Sequence, residues 1–322
     1  MKKVTFKGII GVLKNSSKGF SDDKILKLSA SLAYYTVFSL GPLLIVIIFL
    51  CGIFFGREAV EGTIYGQIKN FVGSDAAAQL QEIIKNAAIS GKGNVAAVIS
   101  VITLLIGATS VFAEIQDSIN SIWGLKVKAK AGWWLLIKTR LLSFGVIGAL
   151  GFLLLVSLSV TALVEGLSNR LKAYLPDVTV VLFYIINLVI TFGVVTTLFG
   201  VIFKVLPDAK VKWRDVLAGA ITTAVFFMLG KFAISFYISK SNVGSTYGTA
   251  GSLVVMLVWV YYSAVILYFG AEFTKAYAIK YGGAIHPNEY TIVAKTVEVE
   301  QGKKTIQEAE KSVKKIEEKL NG

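Results

Sequence analysis

Lys231 is the residue whose position in this sequence points most directly to chemistry. It interrupts an apolar segment that is uncharged from Val216 to Gly230 and continues to Ser239. An ionisable group inside a membrane-length segment is costly to bury, and it commonly marks a substrate or ion path. Snorkelling is the competing explanation, because the four-carbon stem of lysine can carry the ammonium group to the headgroups. The sequence leaves both explanations open.

Three further residues are candidates for the same substrate or ion path. Glu165 lies at the outer end of the third predicted span, which makes it the best partner of Lys231 by depth. Asn187 lies within the fourth span, where one interhelical hydrogen bond explains it equally well. Tyr247 belongs to a loop rich in glycine and serine before the last span, on the same predicted side as Lys231.

A second set of charges is expected at the opposite, inner rim of the membrane. Glu272 follows a run without charged side chains from Ser241 to Ala271. A structural ion pair is the favoured interpretation, because a buried charge without a partner is strongly destabilising. The candidates for this rim, cations first, are Arg140, Lys204, Arg214, Glu114 and Asp117.

Residues 112–123 predict an amphipathic continuation of the second span. Glu114 and Asp117 share one helical face with Ser121, and the isoleucines of this segment fall on another face. Trp123 is expected to anchor the continuation at the membrane interface. A carboxylate metal site on this face is the weaker alternative.

The sequence offers little for enzymatic chemistry. A single cysteine and a single histidine exclude a Cys/His zinc site and an intrachain disulfide. The histidine, His286, lies beyond the apolar segments, where it is poorly placed for a Ser/His/Asp set. The glycine patterns of phosphate-binding loops and dinucleotide-binding folds are absent. We therefore expect no catalytic residue, no metal, no cofactor and no enzyme.

The elements that position these residues are predicted to be membrane-spanning helices. The 322 residues are 55% hydrophobic and 16% charged, with a mean hydropathy of +0.68, values typical of membrane proteins. Six segments are long and apolar enough to cross a bilayer core, which takes roughly 20 residues. They lie at about 30–55, 95–113, 141–164, 178–203, 215–239 and 250–273. The predicted fold is an all-α polytopic membrane protein, with a transmembrane domain over residues 28–274.

Three segments lie outside these spans. Residues 1–27 predict a basic lead-in helix whose loose apolar stripe fits the membrane surface, a solvated basic segment being the alternative. Ser21, before two aspartates, predicts a helix N-cap. Residues 57–94 predict short amphipathic helices in the first external loop, and residues 275–322 form a charged tail.

The distribution of basic residues predicts the orientation in the membrane. Roughly three quarters of the 33 Lys and Arg residues fall before the first span, in alternate loops and in the tail. Because basic residues concentrate on the cytoplasmic side, both termini are expected in the cytoplasm. This alternation requires an even number of spans, which supports six. It also accounts for a net charge of +13 without nucleic-acid binding.

Small residues recur at four-residue spacing in the apolar segments. The pairs are Gly145/Ala149, Thr196/Gly200 and Ala220/Ala224. Such pairs let two helices approach closely. They predict packing either within one subunit or between the subunits of a homo-oligomer.

Several motifs, in a fixed order over residues 20–280, resemble one known family. The early motifs are Leu32–Leu44, Asn120–Trp123 and Leu206–Asp208, followed by Trp213–Val216 and Gly230-Lys231. The last apolar segment adds Tyr247-Gly248, Trp259–Tyr262 and Gly270–Thr274. Together they resemble the YihY/BrkB family of bacterial inner-membrane proteins.

The resemblance implies six spans in the cytoplasmic membrane. A ribonuclease label once attached to the family implies a catalytic group that this sequence does not supply. Some relatives have been linked to lipid or lipopolysaccharide export, but the resemblance implies little about activity. Lys231, Glu165, Glu272 and the glycine- and serine-rich loop 244–252 lead us to expect a protein of the lipid bilayer that transports or flips a lipid-like or anionic small molecule. The alternative is a non-transporting membrane scaffold or envelope-assembly factor.

Overall fold

The computed structural model describes residues 4–39, 110–128, 176–240, 251–283 and 285–294. This part of the chain is mostly helical. The helices are α1 (Phe6–Asp22), α2 (residues 25–39), α3 (residues 110–122), α4 (Pro176–Val205), α5 (Trp213–Lys240) and α6 (Gly251–Tyr281). The strands are β1 (Leu125–Val127), β2 (Ala209–Lys210), β3 (His286–Pro287) and β4 (Thr291–Val293).

Three of the described helices are long and apolar enough to cross a membrane. The candidate spans are Val181–Val205 in α4, Trp213–Gly230 in α5 and Met256–Tyr281 in α6. These helices cover the predicted spans 178–203, 215–239 and 250–273. The predicted span 141–164, most of the spans 30–55 and 95–113, and the predicted helices of loop 57–94 lie outside the described residues. Six spans and the placement of both termini stay predictions.

Helix α6 packs antiparallel to α5 through glycine notches. Along α5 the contacting residues are Gly219, Thr223 and Gly230, and their neighbours on α6 are Thr274, Gly270 and Tyr262. A Cβ atom on Gly219 would lie 1.8 Å from Oγ1 of Thr274, and one on Gly270 would lie 2.0 Å from Oγ1 of Thr223. The helices therefore approach so closely that no larger residue fits at either position.

Each threonine in this contact also closes a turn of its own helix. Thr223 Oγ1 donates to the Gly219 carbonyl at 2.7 Å, and Thr274 Oγ1 donates to the Gly270 carbonyl at 2.7 Å. Two Gly-x-x-x-Thr units thus interlock, each threonine filling the notch of the opposite glycine. The hydroxyl groups are satisfied inside the fold, which lets them be fully buried.

Helix α1 packs antiparallel along the last part of α6. The contacts join Gly8 to Tyr281 at one end and Phe20 to Phe269 at the other. Val12, fully buried, packs in one cluster with Tyr277 and Tyr281. The apolar stripe of the predicted lead-in helix is therefore covered by protein along this face.

A tight elbow joins α1 to α2. Asp23 caps α1, its amide donating to the Gly19 carbonyl at 2.9 Å. Lys24 takes a left-handed conformation with φ of 52°, and α2 begins at residue 25. The prediction of a helix N-cap at Ser21 is therefore wrong, because Ser21 lies in the last turn of α1.

Two short antiparallel ribbons depart from the all-α prediction. Strand β1 pairs with β4, with Lys126 opposite Ile292, and β2 pairs with β3, with Lys210 opposite His286. They tie residues 286–293 back to the ends of α3 and α4. Helix α6 itself continues to Tyr281, beyond residue 274, where the transmembrane domain was predicted to end. Helices α4 and α6 finish at one end of the bundle, and α5 begins there. We call this end the α1 end.

Candidate functional site

One lysine joins three elements at the α1 end. Lys275 Nζ lies 3.1 Å from Oε1 of Glu272 on the preceding turn of α6 and 3.3 Å from Oδ2 of Asp23 in the elbow. It also donates to the Ile122 carbonyl at the end of α3. The ammonium group has three N–H donors, and each of them meets one acceptor.

Glu272 is the buried member of this cluster, only 2% exposed. Its carboxyl group lies against the backbone of α1, where a Cβ atom on Gly19 would come within 2.6 Å of the carboxyl carbon. The described contacts give one ammonium group, on Lys275, to two carboxylates, those of Asp23 and Glu272. Helix α1, the elbow and α6 are therefore held together by a charged cluster.

A second polar cluster surrounds Asp208 in the loop between α4 and α5. The side chain is 5% exposed and accepts from Gln116 Nε2 at 3.0 Å, Asn120 Nδ2 at 2.8 Å and the Tyr290 hydroxyl at 3.0 Å. The Asp208 amide in turn donates to Asn120 Oδ1 at 2.9 Å. Neutral donors from α3 and from the segment after α6 thus satisfy a buried carboxylate, as burial requires.

Tyr290 keeps its proton in this arrangement. Burial raises the pKa of Tyr290 above its ordinary 10.0, and the adjacent Asp208 carboxylate raises that pKa further. The neutral phenol therefore remains a donor to the carboxylate well into the alkaline range. Asn288 reinforces the contact, since its backbone N–H donates to the backbone carbonyl of Asp208 at 3.0 Å.

Trp123 joins the end of α3, the helix that carries Asn120 of the Asp208 cluster, to α6 beside Glu272. Its indole nitrogen donates to the Ala271 carbonyl at 3.0 Å, next to Glu272. The side chain is only 6% exposed and belongs to the main apolar core. The expectation that Trp123 anchors at a membrane interface is therefore wrong, because it is buried between α3 and α6. The buried isoleucines of α3 are as predicted, and they are Ile115, Ile119 and Ile122.

The remaining rim candidates are spread over several elements. Lys204 donates to the Val211 carbonyl, and its ammonium group lies 5.6 Å from the centroid of the Trp213 ring. Arg214 is exposed at the start of α5, Glu114 is half-buried on α3, and Asp117 is exposed there. The described ion pairs of Glu272 therefore involve Lys275, a residue that was not among the predicted cations. Arg140 lies outside the described residues.

The candidates for a substrate path fall at a different level of the bundle. Lys231 follows Gly230 in α5, where a Cβ atom on Gly230 would lie 1.8 Å from the Tyr262 hydroxyl oxygen. The contacts of Gly200 with Ala220 and of Phe199 with Phe227 show that α4 runs antiparallel to α5. Continued along α4, these contacts place residues 189–195 opposite Lys231, so half-buried Asn187 lies roughly 3–12 Å from that level along the helix axis.

Other predictions have mixed outcomes. Glu165 and Tyr247 lie outside the described residues, as do Gly145 and Ala149. Ala220 and Ala224 are fully buried, and a Cβ atom on Gly200 would lie 3.8 Å from Cβ of Ala220, so these small residues serve packing within the subunit. Within the described ranges, no group of three or more His, Cys, Asp or Glu residues could hold a metal ion.

The sequence carried partial signals for the residues that were missed. Lys275 is three residues from Glu272, a spacing that places two side chains on one helical face. The predicted charged tail begins at Lys275, and the predicted rim cations do not include it. Asp208 stood in a recognised motif, Leu206–Asp208, but nothing in the sequence alone brings it to Asn120 or Tyr290. Those contacts depend on tertiary structure.

The described helices are long and apolar, and their buried ion pair and buried carboxylate lie at one end of the bundle. This arrangement defines an integral membrane protein. More particularly, the chain belongs to the family described as virulence factor BrkB, whose profile matches residues 16–289. The resemblance to the YihY/BrkB family is thereby confirmed.

Curated relatives are similar over most of this chain and carry only general names. A UPF0761 membrane protein of Stenotrophomonas maltophilia is 31% identical, over 80% of this chain and 59% of its own length. The UPF0761 membrane protein RSc1559 of Ralstonia nicotianae is 25% identical, over 78% of this chain and 55% of its own length. One from Pseudoalteromonas atlantica is 25% identical, over 78% of this chain and 81% of its own length. The chain thus spans little more than half of the first two relatives, and no solved structure matches it.

Proposed function

We propose that this protein transports or flips a lipid-like or anionic small molecule across the bacterial cytoplasmic membrane. The observation that carries the proposal is the level of Lys231 in α5. At that level the Tyr262 hydroxyl fills the notch of Gly230, and Asn187 lies roughly 3–12 Å away along α4. A cationic residue and a phenol therefore share one level of α5 and α6, with an amide on the neighbouring helix α4.

The depth of this level suits a passage across the membrane. Lys231 lies 16 residues after Asp215, about 24 Å along α5 at 1.5 Å per residue. The Asp208 and Glu272 clusters lie at the α1 end, so they are separated from Lys231 by most of a bilayer core. With six spans and both termini in the cytoplasm, Lys231 belongs to the outer half of the membrane.

The chemistry of these residues fits an anionic group. An ammonium group forms charge-assisted hydrogen bonds with phosphate or carboxylate oxygens. A phenol and an amide supply further hydrogen bonds without adding charge. Acyl chains of a lipid-like substrate would remain against the exposed apolar face of α5, where Leu217, Ile221 and Val225 recur at four-residue spacing.

A non-transporting scaffold is the second candidate, and a different observation favours it. The segment after α6 is fixed by β3, β4 and the hydrogen bond from Tyr290 to Asp208. It leads directly into the charged residues 295–322, which would bind the partner of a scaffold. In this account the clusters at the α1 end hold the start of the tail in one place.

Reconstitution of the purified protein into liposomes tests the proposal. Fluorescent phospholipid is placed in both leaflets, and the fraction that becomes accessible to external dithionite is followed over time. We expect faster exchange than in protein-free liposomes, and a rate at least about 10-fold lower for Lys231→Met, since a hydrogen bond to a charged group is worth roughly 1.5–3 kcal/mol. Lys126→Met, which removes an exposed lysine from β1, is the matched control and is expected to keep the full rate.

Two results would overturn the transport proposal. One is exchange of phospholipid and of entrapped organic anions no faster than in empty liposomes. The other is a Lys231→Met protein that transports at the wild-type rate. If transport is absent and a chain ending at residue 294 loses proteins that co-purify with the full chain, the scaffold is the better account.

A further inference from the structure

Helix α1 has a second face that the described part of the bundle does not cover. Gly8, Val12 and Ser16 form its buried face against α6. On the opposite side Phe6 is 83% exposed and Ile10 is 49% exposed. A helix that needed only to pack on α6 would have no use for a large aromatic side chain on its outer surface.

Three lysines line this outer face. Lys7, Lys14 and Lys18 are all exposed, and their spacing of seven and four residues places them on one side of the helix. Phe6 and Ile10 lie beside them, at the spacing of one turn. Clustered lysines next to a membrane-spanning helix attract the headgroups of anionic lipids. The nearest acid on α1 is Asp22, at the far end of the helix.

The position of α1 along α6 places this face among lipid headgroups. Helix α6 has 31 residues and is therefore about 46 Å long at 1.5 Å per residue. A hydrocarbon core is about 30 Å thick, so roughly the last ten residues of α6 extend into the headgroup layer. Helix α1 flanks α6 from Phe269 to Tyr281, a stretch that includes those residues. Because α1 runs antiparallel to α6, Lys18 lies nearest to the hydrocarbon core and Lys7 lies farthest from it.

We propose that the face of α1 formed by Phe6, Lys7, Ile10, Lys14 and Lys18 binds the headgroups of anionic phospholipids in the membrane that holds the protein. Lys18 and Lys14, on the part of α1 nearest to the hydrocarbon core, contact headgroup phosphates, and Lys7 adds to the electrostatic attraction from farther out. The opposite face of α1 meanwhile stays locked on α6 through Lys280, whose ammonium group donates to the Gly8 carbonyl at 2.8 Å. The elbow cluster fixes the other end of the helix, so the basic face is presented in one orientation.

The binding is tested with the full chain in vesicles. The only cysteine is replaced by Cys51→Ser, and a fluorophore is attached at Ser17→Cys, an exposed position on α1. Vesicles contain phosphatidylcholine with one fifth phosphatidylglycerol, and in separate samples only one of the two lipids is brominated. Quenching by each brominated lipid then measures the local ratio of anionic to zwitterionic lipid beside α1.

We expect the anionic lipid to be enriched about fivefold beside the fluorophore, because this is the effect of one lysine on one anionic headgroup. The enrichment is expected to fall in high salt. The triple variant Lys7→Gln, Lys14→Gln and Lys18→Gln is expected to show the bulk lipid ratio. A control with the same number of substitutions, Lys126→Gln, Lys210→Gln and Lys212→Gln, removes exposed lysines from β1 and the loop between α4 and α5, and it is expected to keep the enrichment.

Three outcomes would overturn the proposal. The triple variant could retain the wild-type enrichment, which would remove the lysines from the explanation. Quenching could be absent with both brominated lipids, which would place α1 away from the membrane. Energy transfer between labelled copies without lipid quenching would instead assign this face to a second copy of the chain. Because all three lysines are exposed, the substitutions leave the packing on α6 intact, and unchanged thermal unfolding in pure phosphatidylcholine checks this point.

Discussion

Gly219→Ala is the substitution that tests the packing of α5 on α6 most sharply. The new Cβ atom would lie 1.8 Å from Oγ1 of Thr274 and 2.8 Å from its Cβ. Neither helix can yield locally, because Thr274 Oγ1 is also bonded to the Gly270 carbonyl. Overpacking of this kind costs about 1–3 kcal/mol.

The control is Gly193→Ala in the middle of α4. A Cβ atom on Gly193 meets no atom within 4 Å, so this substitution brings only the gain in helix propensity, up to about 1 kcal/mol. Gly219→Ala receives the same gain and the overpacking penalty besides. We therefore expect Gly219→Ala to be less stable than Gly193→Ala by about 1–3 kcal/mol.

The assay is reversible unfolding in mixed micelles, followed by far-ultraviolet circular dichroism. A double-mutant cycle with Thr274→Ala then locates the clash, because that change removes the nearest atom. The combined variant is expected to be more stable than the sum of the single effects predicts, with a coupling of about 0.5–3 kcal/mol. Equal stabilities of Gly219→Ala and Gly193→Ala, or strict additivity in the cycle, would refute the interlocked packing.

Three further substitutions probe the α1 end. Lys275→Met is expected to lower the free energy of unfolding by roughly 3–5 kcal/mol, because it leaves the buried Glu272 beside Asp23 without the ammonium group they share. Lys126→Met is the exposed control, and equal unfolding midpoints for the two variants would contradict the cluster. Tyr290→Phe is expected to cost about 1.5–3 kcal/mol through the lost hydrogen bond to the Asp208 carboxylate, measured against Tyr34→Phe at an exposed site. Because the pKa of Tyr290 is raised in the folded protein, this stabilisation is full below pH 10.0 and is lost as the pH rises through the folded pKa. A Tyr290 phenol whose absorbance titrates at the ordinary pKa would contradict this pH dependence. Lys24→Gly is expected to raise the free energy of unfolding by about 1 kcal/mol, since a residue with a side chain is strained in the left-handed conformation. A lower melting temperature for this variant would contradict the left-handed strain in the elbow.

The long helices were predictable because their signal is local. Continuous apolar sequence with a charge near each end suffices to define α4, and Lys204 in its last turn agrees with the helix dipole. The isoleucine face of α3 followed from helical periodicity for the same reason. These features require no knowledge of what packs against them.

The polar clusters were not predictable because their partners are distant in sequence. Asp208 is 88 residues from Asn120 and 82 from Tyr290, and no periodicity links residues so far apart. Trp123 illustrates the same limit, since an amphipathic aromatic residue at a helix end suits either a membrane interface or a buried hydrogen bond. Only the contact with the Ala271 carbonyl distinguishes the two.

The short ribbons escaped prediction for a related reason. Strands of two or three residues, such as Ala209–Lys210 and His286–Pro287, are too short for alternation to show. They form because α4 and α6 end at the same level and bring the two segments together. The residues of β3 and β4 lie within the segment 275–322 that the sequence predicts as a charged tail.

The central claim is that the level of Lys231 forms a polar step on a path through the membrane. The most direct test is a high-resolution cryo-electron microscopy map of the protein in lipid nanodiscs. We expect a lipid headgroup or a water-filled cavity beside Lys231, bordered by Tyr262 on α6 and Asn187 on α4. A dry, fully packed interior at this level would contradict the transport account and leave the scaffold.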